Sequence, residues 1–463
     1  MIGKGSGMIA INIRMNQYTL SNGIKVVMEK LSYLRTASFG VWIKVGSAKE
    51  TKENNGISHM IEHMLFKGTT NKSARELADI IAGIGDDVNA FTGKEVTCYY
   101  GTTTTENLSV LVELIADMIL HSNFAPKDIA KEKRVIYEEI DMYEDSADDL
   151  VHELLQQKVF KDQALGFIIS GTKSNVRSFT RQQLLDFMKL FYRAENMLIS
   201  ISGNFDETAL LDDLERYFRE VPGVNRGAIA AKQAFRDKKL TLSPYEKKYS
   251  TKLHPVYTPC FCTRHKENEQ LHMNIAYSSI SLRSEDSISF SIFNSLFGGS
   301  NNSRLFQKIR EELSLVYSIY CYGSSFEETG LFHIDITVNP AQALTVLKET
   351  KKVIYDLLSK GITETELMTH KCQVKTEYIM SSESAKARMN ANAKGILLRG
   401  YVKTLDEIVK EIDETSVDDI MEFARRTFTD SIPSMCVVGA ENGVRFSTIK
   451  KVFQTEFCRE LLA

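Results

Sequence analysis

FTRQQLLDFMKLFYRAENMLISISGNF, residues 179–205, reads as a helix followed by a buried strand: apolar residues at helical spacing, then a short continuous apolar run. The same order returns in SVDDIMEFARRTFTDSIPSMCVVGAEN, residues 416–442. Working outward from this pair, other stretches echo one another in the same order. LSVLVELIADMI (108–119) is matched by ALTVLKETKKVIYDLL (343–358), and FAPKDIAKEKRVIYEEI (124–140) by ITETELMTHKCQVKTEYI (362–379). Strands TLSNGIKVVMEK and ASFGVWIKVGS precede the helical GISHMIEHMLFKGT, much as HMNIAYSSI precedes ISFSIFNSLFGGS. Leu184 pairs with Ile420 at an offset of 236, Glu139 with Glu377 at 238, and Leu65 with Leu296 at 231. Anchors agreeing this closely imply an internal duplication. The expected fold is α+β: two homologous halves, each a mainly antiparallel sheet with helices packed on one face.

Four of the seven prolines (222, 244, 255, 259) cluster in one stretch around the junction of the halves, where, from Val221 to about Lys252, Lys and Arg are frequent and apolar periodicity is poor. That composition marks a linker. The chain then divides into a leader at 1–17, a first half at 18–221, a linker at 222–252 and a second half at 253–463, the halves closing as a clamshell. Apolar residues make up 43% of the 463 and charged residues 25%, enough for sizeable cores under a solvated surface. A net charge of −3 offers no basic field for nucleic acid or an anionic membrane. No stretch approaches the ~18 apolar residues of a membrane span, and the N-terminus lacks the apolar core of a signal peptide. Seven scattered cysteines, an odd number, suit a reducing cytoplasmic compartment. Cys260-x-Cys262 alone is a weak metal signal, and SLFGGSNNSRLF lacks the Gly-Lys-Ser/Thr ending of a phosphate loop.

In GISHMIEHMLF, His59, Glu62 and His63 fall at i, i+3 and i+4, so one helix face carries all three. Two imidazoles one turn apart can reach one Zn²⁺, and Glu62 beside the metal can take a proton from the attacking water. The order inverts the commoner His-Glu-x-x-His zinc helix. A catalytic zinc needs a third protein ligand. The acidic helix around residues 132–149 is the best source, and the motif alone does not choose among its carboxylates. In the second half, the Leu65–Leu296 offset sets Phe290, Phe293 and Asn294 against His59, Glu62 and His63, so only the first half is chemically armed.

GISHMIEHMLFKGT, DVNAFTGKEVTCYY, VIYEEIDMYEDSADD and SRLFQKIREELSLVYS together resemble the pitrilysin/insulinase-type zinc metallopeptidases, and most closely the bacterial branch similar to the mitochondrial processing peptidase β subunit. The resemblance implies a Glu as third ligand. Glu139, 76 residues after His63, matches it, with Glu138 the neighbouring rival. It also implies a second Glu two turns earlier on the same face, here Glu132, orienting a ligand. Glu132 read alone is a solvated charge between Lys131 and Lys133.

Arg310 and Tyr317 match an Arg and a Tyr that the family brings to the zinc from the second half, although alone they read as a surface cation and a strand aromatic. The family's edge strand beside the zinc falls at Val88–Thr92, making Asn89 and Phe91 candidate substrate contacts, against a turn Asn and a core Phe. His272, at a position the family often fills with His, is given no catalytic role. The expected activity is zinc-dependent endoproteolysis of unfolded peptides or precursor segments bound as an extended strand between the halves. A homodimer, or a heterodimer with a related subunit lacking the metal motif, is implied as well. The alternative is a non-catalytic metal-binding or structural partner subunit, to which the intact His59, Glu62, His63 and Glu139 run counter.

Overall fold

A computed structural model describes residues 15–223, 230–234 and 255–458. The first sheet contains β1 (Met15–Thr19), β2 (Lys25–Lys30), β3 (Thr36–Ile43), β4 (Val88–Thr92), β5 (Thr97–Thr104), β6 (Met197–Gly203) and β7 (Ala230–Ala234), in the order β4-β5-β3-β6-β2-β1-β7. The second contains β8 (Phe261–His265), β9 (Leu271–Ser279), β10 (Ser318–Ser325), β11 (Gly330–Val338) and β12 (Ser434–Gly439), in the order β10-β11-β9-β12-β8. Five strands of the first sheet, in the order β4-β5-β3-β6-β2, correspond one for one to the five of the second, β10-β11-β9-β12-β8. In each set one pair is parallel, β2 with β6 and β8 with β12, and the remaining neighbours are antiparallel. The duplication inferred from three anchors is therefore a duplication of topology, and the sheets are mixed but mainly antiparallel.

The echoing helices form for the same local reason. Thr180 and Ser416 each accept from the backbone three residues on, while Gln183 and Asp419 reach back to the cap nitrogen. Strand β1 begins three residues before Tyr18, the expected start. Strand β7 falls inside the expected linker and pairs with β1, while most of the 1–17 leader and the rest of the linker beyond Gly223 lie outside the described residues.

Strand β3 is buried at every position after Thr36. Its sequence ASFGVWI does not alternate because both faces are covered. The inner face packs on helices of its own half, including Leu108–His121, Arg181–Phe191 and Glu207–Phe218. The outer face is covered by Ala385–Lys394 from the other half: Met389 and Ala393 lie among Val27, Trp42 and Leu198, and Ser200 Oγ donates to Met389 O at 2.8 Å. Reciprocally, Ala147–Val159 crosses to the second sheet, seating Val151, Leu155 and Val159 on Ala276, Leu331, Cys436 and Val438. The two helices begin 238 positions apart, the offset of the Glu139 anchor, so the exchange is itself duplicated. The one-sided helix layer expected from the sequence is thus only the inner layer. Each fully buried Val, Leu or Met is worth ~1.5–3 kcal/mol, so the exchanged helices bind the halves independently of the linker.

Candidate metal centre

The helix Ile57–Leu65 buries Ile57, Met60, Ile61, Met64 and Leu65, which fixes its rotation and turns His59, Glu62 and His63 to one side. Its first residue has no local side-chain cap. The buried Glu50 serves instead: Oε2 accepts from Gly56 N at 2.8 Å and from Asn55 Nδ2 at 2.9 Å, and Oε1 accepts from Ser58 N at 2.9 Å. Gly56 sits at φ 98°, and a Cβ there would meet Ser170 O at 2.7 Å. The helix is therefore pinned at its entry by a carboxylate and a glycine.

The long helix Pro126–Asp145 runs beside it and brings Glu132 and Glu139, two turns apart, to the histidines. Glu139 spans both rings, with Oε1 3.7 Å from His59 Nε2 and Oε2 3.5 Å from His63 Nε2. One ligand atom from each of His59, His63 and Glu139 lies within 4.8 Å of the others. Donors bound at about 2.0–2.2 Å to one tetrahedral ion stand roughly 3.3–3.6 Å apart, so the pairs need little adjustment. Glu138, one step along the helix, is exposed.

Glu132 Oε2 lies 3.2 Å from His63 Nδ1, and its Oε1 pairs with Lys67 Nζ at 2.8 Å. This carboxylate is 5% exposed, an internal partner of His63 and not a solvated charge. Nδ1 being engaged, Nε2 is the nitrogen His63 presents toward Glu139. His59 Nδ1 is buried with no hydrogen-bond partner, so His59 too is engaged only through Nε2. Two imidazole nitrogens and one carboxylate oxygen make a donor set that fits zinc, in the three-ligand count of catalytic sites.

The electrostatics divide these groups. Burial, with the charge of His63, lowers the His59 pKa to about 4 against the pull of Glu139. Burial also opposes charging His63, but hydrogen bonds with Glu132 and Glu139 outweigh it and hold its pKa at about 9. The hydrogen bond from His63 keeps Glu139 below the usual carboxylate range despite its burial. Glu62 is raised by burial, partly offset by the Thr92 hydroxyl, which donates to Oε2 at 2.5 Å. A raised carboxylate beside a metal is a stronger base than a solvated one.

Strand β4 pairs only with β5 among the described residues, so its other edge is open. Its inward face carries Val88 and Ala90 on the first core and Thr92 on Glu62. Asn89 and Phe91 point to the opposite face: Asn89 is exposed, with Oδ1 accepting from Ala90 N, and Phe91 stands edge-on to Trp42 at 5.5 Å. In the second half, Arg310 Nε donates to Tyr317 O at 3.1 Å and the Tyr317 side chain is exposed. Both line a cleft of about 430 Å³ with Gly298, Phe306 and Tyr320. Among the described residues neither side chain has a hydrogen bond or ion pair to His59, Glu62, His63 or Glu139. Phe290 and Phe293, which stand where the first half has His59 and Glu62, pack instead against Phe332 and Phe423.

Sequence reasoning did not find Glu50, Lys67 or Thr92. Glu50 and Lys67 carry no spacing signal of their own. Thr92 closes the quoted DVNAFT run, where strand alternation sets it on the face opposite Phe91.

Two duplicated α+β halves, one of them bearing an inverted His-x-x-Glu-His helix completed by a distant carboxylate, define a metallopeptidase class of fold and site. Residues 25–173 match the family described as Insulinase (Peptidase family M16), and residues 178–374 match the Peptidase M16 inactive domain. The uncharacterized zinc protease YmxG of Bacillus subtilis is 36% identical over 416 residues, covering 90% of this chain and 96% of that protein. The chain belongs to the insulinase family, peptidase family M16. The crystal structure of a protease from Helicobacter pylori has the same fold, with a TM-score of 0.80 at 21% identity over 92% of this chain and 99% of that one. So does a peptidase M16 inactive domain structure from Pseudomonas fluorescens, with a TM-score of 0.80 at 16% identity over 93% and 99%. The inactive-domain match falls largely on the half that lacks the histidines. Among the described residues no helix is long and apolar enough to cross a membrane.

Proposed function

We propose that this chain is a zinc-dependent endopeptidase that hydrolyses unfolded peptides or precursor segments held as an extended strand between its halves. The observation that carries the reading is the convergence of His59 Nε2, His63 Nε2 and Glu139 beside a Glu62 oriented by Thr92. Relatives named zinc proteases support it.

His59, His63 and Glu139 would hold the metal, with Glu132 keeping His63 Nε2 directed at it. A zinc ion held there would polarise the peptide carbonyl and make water more acidic. Glu62 takes a proton from the attacking water as its oxygen bonds to the carbonyl carbon, then delivers that proton to the amide nitrogen as the C–N bond breaks. The open edge of β4 offers N–H and C=O groups to an extended substrate, so the strand backbone binds it while Asn89 and Phe91 contact it at the margin. Tyr317 donates to the carbonyl oxygen as it gains negative charge, and Arg310 forks onto substrate carbonyls. Tyr317 immediately precedes β10, the counterpart of β4 and, among the described residues, likewise open at its outer edge, which supports its acting on the same extended chain. The active species is a dimer, of identical chains or with a related subunit, working in the cytoplasm.

The test is hydrolysis of a disordered peptide of a few tens of residues, abolished by chelator and restored by Zn²⁺. The same sequence embedded in a stable domain has its backbone groups paired and is cut slowly or not at all. Absence of any zinc-dependent hydrolysis would leave the partner-subunit reading. Equal rates on free and embedded peptide would overturn the edge-strand part.

A further inference from the structure

The second sheet carries a polar cluster on its outer face, under the exchanged helix Ala147–Val159. On that helix Asp148 and His152 fall one turn apart on one face, and beneath them β11 presents Asp335, whose side chain is 3% exposed. His152 Nε2 lies 3.2 Å from Asp335 Oδ2, and one ligand atom from each of the three residues lies within 4.8 Å of the others. The His152–Asp335 pair stands just inside the roughly 3.3–3.6 Å that separates two donors on one ion with bonds of 2.0–2.2 Å, so a small opening would admit one.

Each of the three has a further hydrogen-bond partner. Tyr322 Oη lies 2.7 Å from His152 Nδ1, which engages that nitrogen and leaves Nε2 facing Asp335. Asn274 Nδ2 donates to Asp335 Oδ2 at 2.9 Å. His272 Nδ1 lies 3.2 Å from Asp148 Oδ1. Orienting contacts of this kind on each residue of the cluster are characteristic of built metal sites. Asp148 stands at the mouth with its side chain 57% exposed, so an ion can enter from solvent.

Helix docking does not require this chemistry. The counterpart helix Ala385–Lys394 sits on its sheet through Met389, whose sulfur accepts from Trp42 Nε1 at 3.4 Å, and through Arg388 and Asn392 paired with the buried Glu29. There the buried carboxylate is answered by a permanently charged guanidinium, whereas Asp335 faces an imidazole and an amide with a second carboxylate nearby, an arrangement that a divalent cation would complete.

We propose that Asp148, His152 and Asp335 form a second metal site, for a divalent transition cation of the Zn²⁺ type, that clamps the exchanged helix of the first half to the sheet of the second. The site is independent of the proposed catalytic centre and stands or falls separately.

The test uses the full chain carrying His59→Ala and His63→Ala, which removes the first site, dialysed against about 10 μM free Zn²⁺. The expected result is about one Zn²⁺ retained per chain and a melting temperature raised by zinc. Adding His152→Gln, or separately the mouth substitution Asp148→Asn, should weaken binding by at least ~10-fold, the loss outer partners alone can cause. Asp148→Asn changes an exposed group, so folding is not at issue for it. Two results overturn the proposal: no zinc retained by the two-histidine variant, or zinc retained with unchanged affinity in both added variants, which would put it elsewhere on the chain.

Discussion

Replacing Glu132 by Gln isolates what a residue outside the ligand set contributes to the metal. The side chain is buried, its Oε2 faces His63 Nδ1 at 3.2 Å, and its other oxygen binds Lys67. Gln keeps an acceptor for the imidazole but removes the charge that raises the basicity of Nε2, and it leaves Lys67 without its anion. Loss of an orienting partner of this kind typically weakens metal affinity by ~10–100-fold, or about 1.4–2.7 kcal/mol. Because Glu132 touches neither the reacting atoms nor the metal, kcat at saturating zinc should change by no more than a few-fold. Zinc affinity is read by competition with a chromophoric chelator, and kcat on a disordered peptide at increasing free zinc. Lys67→Met is the control, expected to weaken affinity less because His63 keeps its carboxylate. Unchanged affinity in Glu132→Gln would refute the claim that Glu132 acts through His63. Complete loss of zinc, equal to that of His63→Ala, would make Glu132 a ligand.

Zinc uptake at the first site, read at pH 7.5 on the metal-free chain carrying His152→Gln, should release about one proton, because His63, with its pKa at about 9, is charged there while His59, at about 4, is already neutral. Calorimetry in buffers of different ionisation enthalpy reads this, and the release should fade as pH rises past 9. Tyr317→Phe should lower kcat more than it raises KM, by up to ~10²–10³ in rate, the usual loss for one donor to a developing oxyanion. A fragment ending near residue 230 should hydrolyse peptides poorly, and co-refolding with the fragment from about residue 250 should restore activity, since each sheet then regains the helix that covers its outer face. Full activity in the first fragment alone would contradict a shared site.

Much of this architecture was legible because its signals are local. His59, Glu62 and His63 occupy one turn of one helix, so the sequence interval is already the geometry. The duplication was legible because helix-then-strand pairs repeat at nearly constant offset, and the strand orders of the two sheets repeat in step. Glu139 was reachable only through a family resemblance, since nothing in residues 64–138 encodes which face of a later helix will meet the histidines. The exchange of Ala147–Val159 and Ala385–Lys394 was not legible at all. An amphipathic helix carries the same periodicity whichever sheet it covers, and only tertiary packing chooses the partner. Glu50 and Thr92 were missed for a related reason. A lone Glu capping a helix from a preceding loop, and a lone strand Thr donating to Glu62, have no period to reveal them.

The central claim is that three residues hold the metal while a fourth, beside them, moves the proton. Zinc content and peptide turnover measured together on Glu62→Gln and Glu139→Gln test it most directly. The account predicts that Glu62→Gln retains the zinc of the unsubstituted chain with almost no turnover, and that Glu139→Gln holds one Zn²⁺ fewer per chain and is equally inactive. Substantial turnover in Glu62→Gln, or full zinc content in Glu139→Gln with the loss appearing in Glu138→Gln instead, would contradict it.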